Sequence, residues 1–200
     1  MPRASAAPDG PIIVLASRNA HKIQELARMA AHITWLPLPG DDDPPETGDT
    51  FEANALQKAR FGAALTGQPC LSDDSGLEVD ALGGRPGVWS KRYASEATDA
   101  ANNALLLREL AGEAGAQNPG GRTARYRCVI ALVADGVERV FQGACEGQIG
   151  MAPRGSGGFG YDPLFLPLAA PGRTMAELSP VEKDAISHRG AALRRFLAGM

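Results

Sequence analysis

The first apolar run of the chain, Ile12 to Ala16, is continuous and rich in β-branched residues, which predicts a strand buried on both faces within a helix-covered sheet. A polar break, Ser17-Arg18-Asn19, follows it. Ile23, Leu26, Ala27 and Ala30 then recur at helical spacing on one face, so strand, loop and helix succeed one another. Asp49 with Glu52 three residues on has the pattern of a capping box and predicts a second helix running to about Leu65. A third is expected from Asp99 to Ala111, stopped by Gly112 in a left-handed turn. Between Arg122 and Ala134, the residues Ala124, Tyr126, Cys128, Ile130 and Leu132 fall on one side. Asp135-Gly136 supplies a two-residue hairpin turn, and Val137 to Ala144 returns antiparallel. Near the carboxyl end come a short strand at Leu164 to Leu166 and a helix capped by Ser179, with Pro180 at its first position and Glu182 closing the box. A last helix from Arg189 to Ala198 packs Leu193, Phe196 and Leu197. Helices around a parallel strand pair and a long hairpin define an α/β protein with a mixed sheet.

Composition narrows the partners. Two hundred residues, 44% of them hydrophobic, suffice for one domain, or one domain with two lobes. A net charge of -3 argues against clamping a nucleic-acid backbone, which needs a basic stripe, but leaves room for a small anionic ligand. Cys70, Cys128 and Cys145 are widely spaced, without a CxxC pair or a zinc-type cluster, so buried reduced thiols are expected. Residues 1–10 lack the apolar segment of a secretory signal, and no later run approaches membrane-spanning length. The expectation is a soluble cytoplasmic protein with no membrane partner, in which a disordered tail (1–10) precedes one two-lobed unit (11–200).

The candidate chemistry centres on Leu71-Ser72-Asp73-Asp74-Ser75-Gly76-Leu77, which sets two adjacent acids after an apolar run and before what reads as a glycine turn. In an extended segment Asp73 and Asp74 point to opposite sides, so one can face a ligand while the other braces its surroundings. Carboxylate oxygens suit Mg²⁺, which takes one or two protein acids and completes its shell with water and phosphate oxygens. A solvated Asp-Ser-Gly turn is the alternative for this stretch taken alone. Ser17, Asn19 and Lys22 sit where a buried strand turns into a helix, a place that attracts phosphate, although the segment lacks the Walker glycines. Asn54 and Lys58 share one helix face, with Glu46 just ahead of them. The run Gly155 to Gly160 reads as a flexible loop presenting Phe159, a ring able to stack on a flat ligand, before Tyr161-Asp162. Lys183, His188 and Arg189 gather donors suited to carbonyl or phosphate oxygens. No Ser/His/Asp or Cys/His spacing supports covalent catalysis, which points to water as the nucleophile.

Taken in order, SRNAHK (17–22), ETGDTFEANALQKA (46–59), SDDSGLEVDALGGRPGVWSKRYA (72–94), GGFGYDPLF (157–165) and SHRG (187–190) closely resemble the inosine/xanthosine triphosphate pyrophosphatase family. The resemblance runs from about residue 12 to the carboxyl end. It implies a two-lobed α/β fold with a mixed twisted sheet, flanking helices and an active site in the central cleft. The implied activity is Mg²⁺-dependent hydrolysis of deaminated purine nucleoside triphosphates to monophosphate and pyrophosphate by a homodimer. Ser17, Arg18, Asn19, Ala20, His21 and Lys22 would then bind the triphosphate. Asp74 would be the catalytic carboxylate and a metal ligand, supported by Asp73, with Asn54, Lys58 and Ser75 as substrate contacts. Phe159 would stack on the purine, Gly160, Tyr161 and Asp162 would shape its pocket, and Lys183, His188 and Arg189 would reach the 6-oxo group. One departure stands out: many members carry two consecutive acids before the second helix, where this chain has Pro45-Glu46, leaving Glu46 as the second metal ligand. Two other classes stay open on sequence alone, a pyrophosphatase for modified pyrimidine nucleotides and a nucleotide sensor without turnover.

Overall fold

The computed structural model describes residues 10–200, so nearly all of the expected tail, residues 1–9, lies outside the described residues. Its centre is one six-stranded mixed sheet in the order β2-β1-β3-β4-β5-β6. Strand β1 (Ile12–Leu15) pairs in parallel with β2 (Thr34–Pro37) and with β3 (Cys70–Val79). Strands β4 (Thr123–Ala134), β5 (Val137–Ile149) and β6 (Phe165–Pro167) continue antiparallel. The hairpin turn between β4 and β5 is Asp135-Gly136, with φ values of 51° and 75°, the left-handed pair that a two-residue turn of this kind requires. Five α-helices flank the sheet: α1 (Ala20–Met29), α2 (Phe51–Thr66), α3 (Asp99–Gly112), α4 (Pro180–Ile186) and α5 (His188–Ala198).

Several local expectations change. Thr50, not Asp49, caps α2 by accepting from Ala53 N–H, and Glu52 instead accepts from Gln142 across the sheet. Helix α3 is capped by Thr98 and runs through Gly112 to Glu113, whose φ of -85° makes an extended exit in place of the left-handed stop. The Ser179-Pro180-Glu182 box closes as expected. Strand β2 adds to the elements expected from sequence; unlike β1 it ends on a proline and has no buried side chain to mark it.

The main revision concerns β3, which does not end before the acids but carries them at its centre. Gly76 is a strand residue whose missing side chain admits a neighbour: a Cβ there would meet Gly87 O and Ser90 Oγ at 2.5 Å, within the 3-10 turn Gly87–Arg92 that crosses the strand. Along one face of β3 the row runs Leu71, Asp73, Ser75, Leu77. Leu71 belongs to a core between the sheet, α1 and α5, with Leu15, Leu26, Ile130 and Phe196. Leu77 belongs to a second core with Val79, Leu106 and Leu110 of α3 and Phe165. On the opposite face Ala55 and Ala59 of α2 pack on Val129 and Ala131. Two cores joined by one polar stretch of strand give the two lobes, and the cleft opens where the row turns polar.

Candidate active site

The polar stretch of β3 forms the floor of a cleft of about 460 Å³. Of the residues expected at a site, it is lined by Ser17, Arg18, Asn19, Lys22, Glu46, Lys58, Asp74 and Ser75 on one side. Phe159 to Asp162, Lys183, His188 and Arg189 line the other. Ala20, His21 and Asn54 lie outside the lining: Ala20 begins α1, His21 stacks on Phe159, and Asn54 sits behind Asp74.

Alternation along β3 sends the two acids to different partners. Asp74 faces α2, where Lys58 and Asn54, one turn apart, donate to its Oδ1 (2.9 Å) and Oδ2 (3.2 Å). Lys58 Nζ also donates to Glu46 Oε1 at 2.7 Å, so Glu46 and Asp74 each aim one oxygen at a single point. Asp73 faces α1 and α5. Its Oδ2 accepts from Arg189 (3.0 Å) and lies 3.1 Å from Lys22 Nζ, while its other oxygen is buried without a partner. Arg189, almost fully buried, also donates to Ser75 Oγ (2.8 Å) and to Glu25, which in turn lies 2.9 Å from Lys183 Nζ. Lys183 donates to Asp162 at 2.6 Å.

Backbone features hold these groups in place. Ser75, Cys128 and Gly143 stand side by side across β3, β4 and β5. Gly143 lacks the Cβ that would collide with the His188 carbonyl, so the start of α5 lies directly on the sheet. Ser187 caps α5 through Gly190 N–H and turns His188 and Arg189 of its first turn into the cleft. The glycine-rich loop is closely packed. Gly158 (φ 70°) leaves the space that the Asp162 carboxylate fills, and that carboxylate accepts from Phe159 N–H (2.9 Å) and from Tyr126 Oη (3.2 Å). The start of α1 also differs from expectation, because Asn19 Oδ1 takes the N–H groups of His21 (3.0 Å) and Lys22 (3.3 Å) that were expected to meet phosphate. Arg18 donates to the Leu38 and Asp42 carbonyls and so pins the acidic loop.

Electrostatics separate the groups further. Burial raises the Asp74 carboxyl above the ordinary range, outweighing Lys58 and Lys22. Burial also pushes on Asp73, but Lys22 and Arg189 outweigh it and hold that carboxyl far below the usual range. Glu25 and Glu46 are lowered in the same manner by their cations. His188, buried and stacked on Tyr126 (4.6 Å, 11°), is held well below the ordinary imidazole value by burial and by the charges of Arg189 and Lys183. It is therefore neutral at pH 7, and its Nδ1 has no partner.

Around the floor Lys22, Lys58, Arg92, Lys183 and Arg189 pair with Glu25, Glu46, Asp73, Asp74 and Asp162, five cations against five carboxylates. Glu46 and Asp74 hold the Lys58 ammonium between them and both line the open cleft; their hard carboxylate oxygens suit Mg²⁺, which needs only one or two protein carboxylates. Among the described residues no group of three or more His, Cys, Asp or Glu forms a closed cage. Sequence reasoning missed Glu25, whose partners are remote, and Asp43, Lys91, Arg92, Asp99 and Tyr126, which also line the cleft. The one available signal for Glu25 was its place one turn beyond Lys22 on α1.

Fold and site together define an α/β protein with an open, charge-lined cleft between two lobes on one sheet. The Ham1 family model matches residues 13–199, and the chain belongs to that family. It is 50% identical over 198 residues to the dITP/XTP pyrophosphatase of Nocardia farcinica, covering 94% of each chain. It is 48% identical over 191 residues to that of Geobacillus kaustophilus, covering 92% of this chain and 91% of the relative. Among solved structures, a HAM1 protein from Coxiella burnetii superposes with a TM-score of 0.80 at 43% identity, over 93% of this chain and 96% of that one. The nucleoside-triphosphatase / dITP/XTP pyrophosphatase of Mycobacterium abscessus superposes at 0.74 and 46% identity, over 93% and 98%.

Proposed function

We propose that this protein hydrolyses deaminated purine nucleoside triphosphates (ITP, dITP and XTP) to the monophosphate and pyrophosphate, removing them from the nucleotide pool. The observation that carries the reading is Asp74: a buried carboxylate on the cleft floor, raised by its burial, beside cations at one end and an aromatic, donor-rich pocket at the other. The names of the relatives agree with it.

Forming pyrophosphate requires water to attack the α-phosphorus in line with the leaving group. Asp74 orients that water and accepts its proton, a task favoured by a carboxyl whose affinity for protons is already raised. Lys58 and Asn54 fix the carboxylate from behind, which keeps its rotamer matched to one attack direction. Ser17, Asn19 and Lys22 face the polyphosphate, and Lys22 and Lys58 offset charge on the departing pyrophosphate. Glu46 and Asp74 would hold Mg²⁺, which when bound would polarise phosphate oxygens and add positive charge beside the triphosphate.

Base selection follows from counting donors. Lys183 spends two of its three N–H groups on Glu25 and Asp162, and Arg189 spends four of five on Asp73, Ser75 and Glu25. The remaining donor on each lies beside the Phe159 ring, with Lys183 Nζ 4.7 Å and Arg189 Cζ 5.8 Å from its centroid, where a 6-oxo purine stacked on that ring would offer an oxygen with two lone pairs. Adenine would present its own donor there and leave buried groups unpaired, a mismatch that discriminates strongly. Phe159 supplies the stacking face, and His188 Nδ1 a free polar atom at the pocket wall. Residues 11–200 act as one two-lobed unit, working as a homodimer in the cytoplasm, a compartment consistent with three free, buried cysteines.

A panel of ITP, dITP, XTP, ATP, GTP and pyrimidine triphosphates, assayed with Mg²⁺ for pyrophosphate and orthophosphate separately, tests the reading. The expected result is pyrophosphate from the deaminated purines, with ATP slower by about 10² or more. Orthophosphate as the first product, or a pyrimidine as the best substrate, overturns it.

A further inference from the structure

Phe159 lies in a turn held from several directions. Its N–H donates to Asp162, and its ring stacks on His21 with centroids 5.0 Å apart at 13°. The peptide groups of the next residue are gripped on both sides by α3. Gly160 N–H donates to Asp99 Oδ2 at 2.6 Å, and Gly160 C=O accepts from Asn103 Nδ2 at 2.9 Å. Asp99 and Asn103 are one turn apart and share a helix face, so a single face of α3 satisfies both polar groups of one residue. Gly160 itself has φ 63°, a left-handed conformation that a side chain would resist.

Neither residue is needed for the helix it sits on. Thr98 already caps α3 through Ala101 N–H, and Asn102 serves a separate contact with Ala94 N–H. Asn103 keeps its Nδ2 bond although its Oδ1 is buried without a partner, an arrangement that costs stability and so calls for a reason beyond packing. Helix α3 is anchored in the second core by Leu106 and Leu110, whereas His21 belongs to α1 on the first. The backbone of the Phe159 turn is therefore tied to α3, while its ring meets His21 of α1 and the Lys183 ammonium of α4, 4.7 Å from its centroid.

We infer that Asp99 and Asn103 are positioning residues that set the height and tilt of the Phe159 ring, and through it the affinity for the base, without acting on the phosphates. This rests on the reading of Phe159 as the base platform. Asp99→Ala and Asn103→Ala should each raise KM for dITP about 10-fold, the loss of one charged or well-aligned hydrogen bond, with kcat changed by about twofold at most. Inorganic tripolyphosphate, a competitor with no base, should inhibit both variants with an unchanged Ki. Asp99→Asn, which keeps an acceptor oxygen, should restore KM. In a Phe159→Ala background, Asp99→Ala should add nothing further, since both act through one ring.

A Ki for tripolyphosphate that rises in step with KM, or an Asp99→Asn variant no better than Asp99→Ala, overturns the clamp. If Phe159→Ala raises KM while Asp99→Ala leaves it alone, the clamp fails and the platform reading survives. An unchanged KM in Phe159→Ala overturns both. Asp99 is exposed on the first turn of an independently capped helix, so its variants report on the site and not on folding.

Discussion

Asp73 and Asp74 are neighbours of one residue type, yet the two faces of β3 give them opposite lives. Asp73 points into a buried charge network with Arg189, Lys22, Glu25 and Lys183, and its own side chain has no exposure at all. Asp74 points toward α2 with 11% of its side chain open to the cleft, and its charge is the less well compensated of the two. A buried carboxylate whose cations outweigh its burial has little left to offer a substrate. One whose burial outweighs its cations still gains from binding a proton or a metal. The difference between brace and reactant lies in which helix each face meets, since alternation along the strand makes the two environments independent.

The sharpest way to break this contrast is to neutralise each acid in turn. Asp74→Asn should cut kcat on dITP by about 10³-fold, the loss of a positioned base, while unfolding stability hardly changes. Lys58 would keep Glu46, and Asn54 would keep its bond to Gly48 N–H, so no buried charge is stranded. Parental turnover in Asp74→Asn would remove the reactant role. Asp73→Asn should do the reverse. With Lys22 left without a counter-charge and Arg189 left with Glu25 alone, urea unfolding should show a loss of about 3 kcal/mol, the cost of breaking a buried pair from one side. If Asp73→Asn is as stable as the parent, the buried network is not what holds α5 to the sheet.

This division was only half legible in the chain. Alternation alone says that adjacent acids in a strand diverge, and the order of motifs marks 72–75 as the place to look. Features encoded within a few residues read directly: the Asp135-Gly136 turn, the Ser179-Pro180-Glu182 box, and the apolar run of β1 leading into α1. What misled was chemistry with two explanations. Ser75-Gly76 favours turns by local hydrogen bonding, but Gly76 is a glycine because the segment at Gly87 and Ser90 crosses it, a contact more than ten residues away. Glu25 was invisible for the same reason. A glutamate on an amphipathic helix is ordinarily solvated, and its burial depends on Arg189 and Lys183, at the other end of the chain. The site residues were found by their motif, whereas the direction each one faces came only from pairing across the sheet.

His188 offers the gentlest probe of the same contrast. It sits beside the buried network, met by Arg189, Lys183, Lys22 and Asp73 and stacked on Tyr126, and burial with the neighbouring cations holds its imidazole far below the ordinary value. In the unfolded chain the ring takes up a proton near pH 6.5, and in the folded protein it does not. Between those two values the unfolded state binds the extra proton, so stability must fall as pH drops below about 6.5. One pH unit lower, the loss from this residue should be about 1 kcal/mol. Asp73 and Glu25, whose folded carboxyls are lowered, add their own loss only further down, below the ordinary carboxylate range. Thermal or urea unfolding of the parent and of His188→Gln at pH 7.5, 6.5 and 5.5 isolates the effect. The variant starts from a different stability, so the slopes are compared, and its slope should be flatter by that amount. Parallel slopes would mean that the histidine charges freely in the folded protein and that the pocket wall beside the base is not dry.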